Sequence, residues 1–144
     1  MSTITEQIAS DVKTAMKAGE RERVGALRLV LSELQKDAKE GAGDEQAVLR
    51  RERKRRRDAE QQYRDAGRDE LAGHEAFEAE LIEGYLPQQL SDAELDALVR
   101  DAVASTGASS PRDMGKVIGQ VKGAADGRAD GGRIAARVKE ALTT

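Results

Sequence analysis

The chain has 144 residues, 35% of them charged and 2% aromatic, with a formal net charge of −3. The lack of cysteine excludes disulfides and thiolate-ligated metal, and no apolar run approaches the ~20 residues needed to cross a bilayer. Few aromatics mean an aliphatic core, and a charged share above the usual ~25% suits long, surface-rich helices better than a compact globule.

The first helix is predicted from about Thr3 to Ala18, where Ile4, Ile8, Val12, Ala15 and Met16 recur at three- and four-residue spacing. The segment Met1–Ile8 lacks the basic start and apolar centre of a signal peptide, so a cytoplasmic location is the expectation. Gly19 is placed to end the helix in a left-handed cap. A second helix is predicted from about Glu20 to Glu40. Val24, Leu27, Val30, Leu31, Leu34 and Ala38 give it a broad apolar face, with Gly25 inside as a tolerated or close-packing residue. Gly41-Ala42-Gly43 breaks the pattern, and Asp44 is a candidate cap for the next start.

A third helix is predicted from about Asp44 to Ala66, ~34 Å long at 1.5 Å per residue. Its apolar positions are sparse, and Arg50-Arg51-Glu52-Arg53-Lys54-Arg55-Arg56-Arg57 sets seven basic residues around one acid. Gly67 is expected to end it. A fourth helix from about Asp69 carries Leu71, Ala72, Phe77, Leu81 and Ile82, and is acidic at Glu75, Glu78, Glu80 and Glu83. A basic helix followed after a short turn by an acidic one predicts an antiparallel hairpin with ion pairs across it. Pro87 is expected to stop the fourth helix.

Beyond the proline the elements shorten. Ser91 and Glu94 form a capping box before Leu95, Leu98, Val99, Ala102 and Val103, and Gly107 closes that helix. Ser110 reads as a cap with Pro111 at the first helical position, before Met114, Val117, Ile118 and Val121. The glycine-rich stretch Gly123–Gly132 reads as a loop, and Ile134, Val138 and Leu142 mark the last helix. No strand pattern and no fixed-period repeat competes. The fold class expected is all-α: a helical N-terminal subdomain over residues 1–86 with a long hairpin, and a small C-terminal three-helix bundle over residues 87–144.

Eight consecutive helical residues point in every direction, so the basic run cannot be a one-sided stripe. Some of its arginines must face the acidic helix. Others, with Arg53, Arg56 and Arg57 as candidates, are placed to hold phosphates through bidentate guanidinium contacts. An ion-paired, solvated hairpin is the competing reading. The glycine-rich stretch lacks the Gly-Lys-Ser/Thr ending of a P-loop. It also fails as a calcium loop, since Arg128 and Arg137 stand where ligands are needed. Arg128, flanked by glycines, is its residue best placed to reach a ligand. His74 is the only histidine and reads as a surface residue. The residues therefore point to no catalytic constellation, no metal site and no cofactor.

Several pieces spread along the chain carry a resemblance: Ala15-Met16-Lys17-Ala18-Gly19, Leu27-Arg28-Leu29, the basic run to Tyr63, Ala66-Gly67-Arg68, Tyr85-Leu86-Pro87 with Gln89-Leu90-Ser91, Asp113-Met114-Gly115-Lys116-Val117, and Gly127-Arg128-Ala129-Asp130-Gly131. In their order and spacing the chain resembles the GatB/YqeY domain family in its stand-alone, YqeY-like form. The resemblance implies an all-helical fold. It also implies a C-terminal part similar to the tail of the B subunit of the aspartyl/glutamyl-tRNA amidotransferase. That tail is a tRNA-binding appendage, and amide transfer takes place in other domains. The carbon–nitrogen ligase activity with glutamine as amido-N-donor attached to the family describes the parent complex, so whether this chain is an enzyme stays open.

Carried over residue by residue, the resemblance implies RNA-facing roles for Lys116, Lys122 and Arg128. The partners it implies are tRNA and an amidotransferase or aminoacyl-tRNA synthetase complex, with no membrane. The chain departs from many relatives at Gly123, where they carry a proline before the Gly-Arg-Ala-Asp loop, and a looser loop is expected. The leading expectation is a non-catalytic tRNA- or RNA-associated accessory module. Participation in amide transfer to misacylated tRNA is the alternative. A protein–protein adaptor using the Val24–Leu34 face is a third.

Overall fold

The structure, a computed structural model, describes residues 3–143. Among them are seven α-helices, one 3-10 turn and no strand. The helices are α1 (Ile4–Ala18), α2 (Arg21–Glu40), α3 (Glu45–Asp65), α4 (Asp69–Glu83), α5 (Asp92–Thr106), α6 (Met114–Ala125) and α7 (Gly131–Thr143), with the 3-10 turn at Pro111–Asp113. The chain divides into two compact units, Met1–Pro87 and Gln88–Thr144. None of the helices among the described residues is long and apolar enough to cross a membrane.

The N-terminal unit is built from two helical hairpins, α1–α2 and α3–α4, with α2 packed against both α3 and α4. Thr3 and Glu6 form a capping box at the start of α1, and Gly19 closes it at φ 73°, a conformation that costs glycine nothing. The core gathers Ile8, Val12, Leu27, Val30, Leu34, Val48, Leu49 and Ile82, with Tyr85 and Leu86 against its edge. Each large aliphatic side chain fully withdrawn from water contributes about 1.5–3 kcal/mol. This core uses up the apolar face of α2. Leu27, Val30 and Leu34 are all buried, and of the large apolar residues of that helix only Leu29 remains largely exposed. The expectation of an adaptor docking on the Val24–Leu34 face is therefore corrected, since the protein's own helices cover it.

Pro87 does not stop α4, which ends earlier, at Glu83. Residues 84–86 leave the helix through a turn in which Tyr85 N–H donates to the Ile82 carbonyl. The Tyr85 hydroxyl donates to the Asp11 carboxylate on α1. Burial, and then the adjacent Asp11 charge, push the tyrosine's ionisation up. The helix is thus turned aside by a side chain anchored in the core, before the proline is reached.

In the C-terminal unit α5, α6 and α7 pack on one another in all three pairs. They surround Leu90, Leu95, Val99, Ala102, Val117, Val121, Ala125, Ala129, Ile134, Val138 and Leu142. Ser91 and Glu94 make the expected reciprocal cap on α5. Ser110 makes no side-chain cap; the Asp113 carboxylate instead accepts from the Ser109 N–H, and Pro111 opens a 3-10 turn. The glycine-rich stretch is shorter than expected as a loop. α6 runs on to Ala125 because Val121 and Ala125 are both buried, which outweighs the ~1 kcal/mol that Gly123 costs inside a helix. The expected looseness at Gly123 is replaced by a helical turn, and the loop proper begins at Asp126.

Candidate nucleic-acid interface

Two stretches present basic residues, and the structure treats them differently. In α3 the run from Arg50 to Arg57 follows the line of Val48, which turns Glu52 inward. Glu52 is 1% exposed. Its carboxylate accepts from Arg55 at 3.1 Å and pairs with Arg56 at 3.5 Å. Arg56 also reaches across to α4, where its Nε lies 2.8 Å from Glu78 and 4.0 Å from Glu75. Arg57 donates through Nε and Nη2 to Glu83 at 3.1 and 2.9 Å, and through Nη1 to Glu60 at 2.8 Å.

The outer members other than Arg50 are engaged as well. Arg51 lies 3.8 Å from Glu33 on α2, and Lys54 lies 3.1 Å from Asp58. Arg53 is half-buried and also engaged. Hydrogen bonds from Arg57 and Arg64 hold Glu60 below the ordinary carboxylate range. Exposed pairs of this kind contribute only ~0.2–1 kcal/mol each to stability. Their consequence for binding is larger, because Arg56 and Arg57 must give up a carboxylate before taking a phosphate.

The second stretch is α6. Val117, Val121 and Ala125 face inward, so the helix turns Gly115, Lys116, Gly119, Gln120, Lys122, Gly123 and Ala124 to solvent. No acid lies anywhere in the helix. Lys116 and Lys122 make no ion pair with any described residue. A Cβ added at Gly115, Gly119 or Gly123 would meet nothing within 4 Å. At 100° per residue the three glycines form an oblique strip along the outer face. The two lysines stand at its edges, about 9 Å apart along the axis. The Lys122 ammonium ends 3.6 Å from where a Cβ on Gly131 would stand, at the first turn of α7. The Asp130 carboxylate at that end caps the Arg133 N–H at 2.8 Å and makes no ion pair with Lys122.

Arg128 has a different position from the one its glycine neighbours suggest. It is half-buried, and its Nε donates to the Gln88 carbonyl at 2.8 Å. Its own carbonyl accepts from the Leu90 N–H at 2.8 Å. Arg128 therefore pins residues 88–90 to the loop between α6 and α7. The left-handed pair Asp126 and Gly127, at φ 47° and 79°, makes the turn that brings it there. The sequence did not announce this bond, because its acceptor is a backbone carbonyl forty residues away.

Of the residues singled out in sequence, then, Lys116 and Lys122 share one open face, Arg128 clamps the loop of the same unit, and Arg53, Arg56 and Arg57 lie in the ion-paired hairpin. The open strip of Gly115, Gly119 and Gly123 was missed, although glycine every fourth position in an acid-free helix was visible in the sequence. No group of three or more His, Asp or Glu among the described residues could hold a metal ion. His74 sits on the surface of α4, its Nδ1 2.9 Å from Glu22 of α2.

The family model described as Yqey-like protein matches residues 5–142 of this chain. No curated protein matches it.

Proposed function

From the premise that this chain belongs to the YqeY-like family, we propose that it is a non-catalytic tRNA- or RNA-associated module whose contact surface is the outer face of α6. One observation carries the reading: Lys116 and Lys122 flank a strip of helix free of acids, of ion pairs and of bulky side chains. A polyanion backbone can approach such a strip closely, exchanging condensed counterions for two lysines without first breaking an internal pair. The likeness of this part to the tRNA-binding tail of the amidotransferase B subunit supports the same choice. Arg128 serves here by holding the α6–α7 loop in place. The arginines of α3 are secondary, because each contact they make with a phosphate costs a contact with a carboxylate.

The test is fluorescence-anisotropy binding to total tRNA across a salt series, with a charge-matched DNA duplex as competitor. Binding that prefers tRNA and persists at moderate salt is expected. The logarithmic salt slope should fall by roughly 0.7–0.9 for each phosphate contact removed, as in Lys116→Ala and Lys122→Ala. Equal binding to DNA, abolished by modest salt and untouched by both substitutions, overturns the proposal.

A further inference from the structure

The α3–α4 hairpin holds a charge imbalance that its helical packing does not require. Three carboxylates, Glu52, Glu75 and Glu78, lie within 4.0 Å of the single Arg56 guanidinium. Arg56 is itself only 18% exposed, and it places its close contact, 2.8 Å, on Glu78. Arg55 reaches Glu52 alone, from the solvent side. That leaves Glu75. Its Oε2 is shielded from solvent and has no hydrogen-bond partner, and its nearest cation is Arg56 at 4.0 Å. Glu78, one helical turn on, shares its face of α4.

The charged groups around Glu75 are Arg56 from α3 and His74 and Glu78 from α4. Glu52 and Arg55 lie behind Arg56, and Glu22 of α2 reaches the cluster only through His74. Two cations, Arg55 and Arg56, therefore serve three buried or half-buried carboxylates, and only Arg56 comes near Glu75, at 4.0 Å. A shielded acceptor with no donor is costly to leave unmade, and a proton removes the cost by neutralising one of two neighbouring like charges.

We propose that Glu75 is a proton-uptake site that makes the α3–α4 hairpin pH-responsive, tightening it as the solution is acidified. Burial, then repulsion from Glu78, raise the Glu75 carboxyl above the ordinary range, against the weaker pull of Arg56 and His74. The sign follows. A carboxyl with a raised folded value adds stability that is full below its unfolded value, and that stability is lost as pH rises through the folded one. Elsewhere on α3 the carboxylates Glu45 and Glu60 are held low instead, so their contributions run the other way. Once ionised, Glu75 is a charge that the hairpin would fold better without.

The experiment is carbon-detected NMR titration of the side-chain carboxyls in the full chain, with amide-exchange protection of α3 and α4 read beside it. Glu75 is expected to titrate above the other glutamates. Glu75→Gln is expected to raise the protection of α3 and α4 about two- to fivefold near pH 7, with the gain vanishing as pH falls through the Glu75 titration. A second variant separates charge from shape: Glu75→Asp keeps the charge and should give no gain. An ordinary Glu75 titration, or a Glu75→Gln effect that is independent of pH, overturns the proposal.

Discussion

Helices α3 and α6 both carry basic residues, and the richer of the two is the less available. α3 has seven cations in eight positions, yet Glu52, Glu60, Glu75, Glu78 and Glu83 gather around Arg55, Arg56 and Arg57. α6 has two cations and leaves both without an ion pair. Density of charge in a sequence therefore measures affinity for polyanions poorly. What counts is the charge left after the fold has neutralised itself.

The sharpest way to break this contrast is to remove the acid at the centre of the α3 run. Glu52→Ala empties a position that is 1% exposed while Arg56 keeps Glu78 at 2.8 Å, so the cost is that of an emptied core position, about 2–3 kcal/mol. Urea unfolding should show that loss in the N-terminal unit. A loss under about 1 kcal/mol would mean that α3's charges are loosely held and available after all. Next in size is the double variant Lys116→Ala/Lys122→Ala. It should weaken tRNA binding on the order of tenfold at low salt and reduce the salt slope by about 1.5, with no loss of stability. By contrast, Arg57→Ala should cost only about 0.5–1 kcal/mol of stability and leave tRNA affinity unchanged.

The glycines offer a finer comparison. Gly25 of α2 and Gly119 of α6 both lie in helix interiors with open space where a Cβ would stand. Alanine at either should therefore stabilise its helix by roughly 1 kcal/mol. If the α6 strip meets a nucleic-acid backbone, Gly119→Ala should also weaken tRNA binding while Gly25→Ala does not. Equal affinity in both variants would remove the strip from the interface and leave the lysines acting alone.

Much of this architecture was legible in the residues because its signals are local. Gly19 and Gly107 need left-handed backbone, Ser91 and Glu94 cap reciprocally, and the aliphatic spacing of α1, α2, α5 and α7 names most of the core. The pairing of the basic helix with the acidic one was also legible, since opposite charge on consecutive helices leaves few alternatives. The remaining features depend on contacts distant in sequence. The Tyr85 bond to Asp11 turns the chain before Pro87 can act. The Arg128 bond to the Gln88 carbonyl makes a clamp of a residue that reads as a free ligand. The burial of Val121 and Ala125 keeps Gly123 helical. Glu52 shows the same limit, because nothing in a run of arginines says that its one acid points inward. Of the candidate site, the lysines were readable through the family resemblance. Their freedom from ion pairs was not, because it depends on where every acid ends up.

The two units should also part company in acid. In the C-terminal unit, a hydrogen bond from Arg133 and the charge of Arg137 hold Asp92 below the ordinary aspartate range, at contacts of 2.8 and 2.9 Å. The Ser91 backbone and hydroxyl hold Glu94 low in the same way. For such groups the contribution to stability is present above the unfolded value and is lost as pH falls through the depressed folded one. The protection of α5 and α7 should therefore only decline on acidification. In α3 and α4 the same kind of loss from Glu60 is opposed by the gain from Glu75, so their decline should begin later. Asp92→Asn provides the discriminating case. It should slightly lower the protection of α5 and α7 at neutral pH and flatten their acid limb, while leaving α3 and α4 unchanged. An unaltered acid limb would mean that the Arg133–Asp92–Arg137 ladder is solvated away. The C-terminal unit would then be held by its aliphatic core and caps alone, and the only electrostatics that matter to its stability would be those at the ends of its helices.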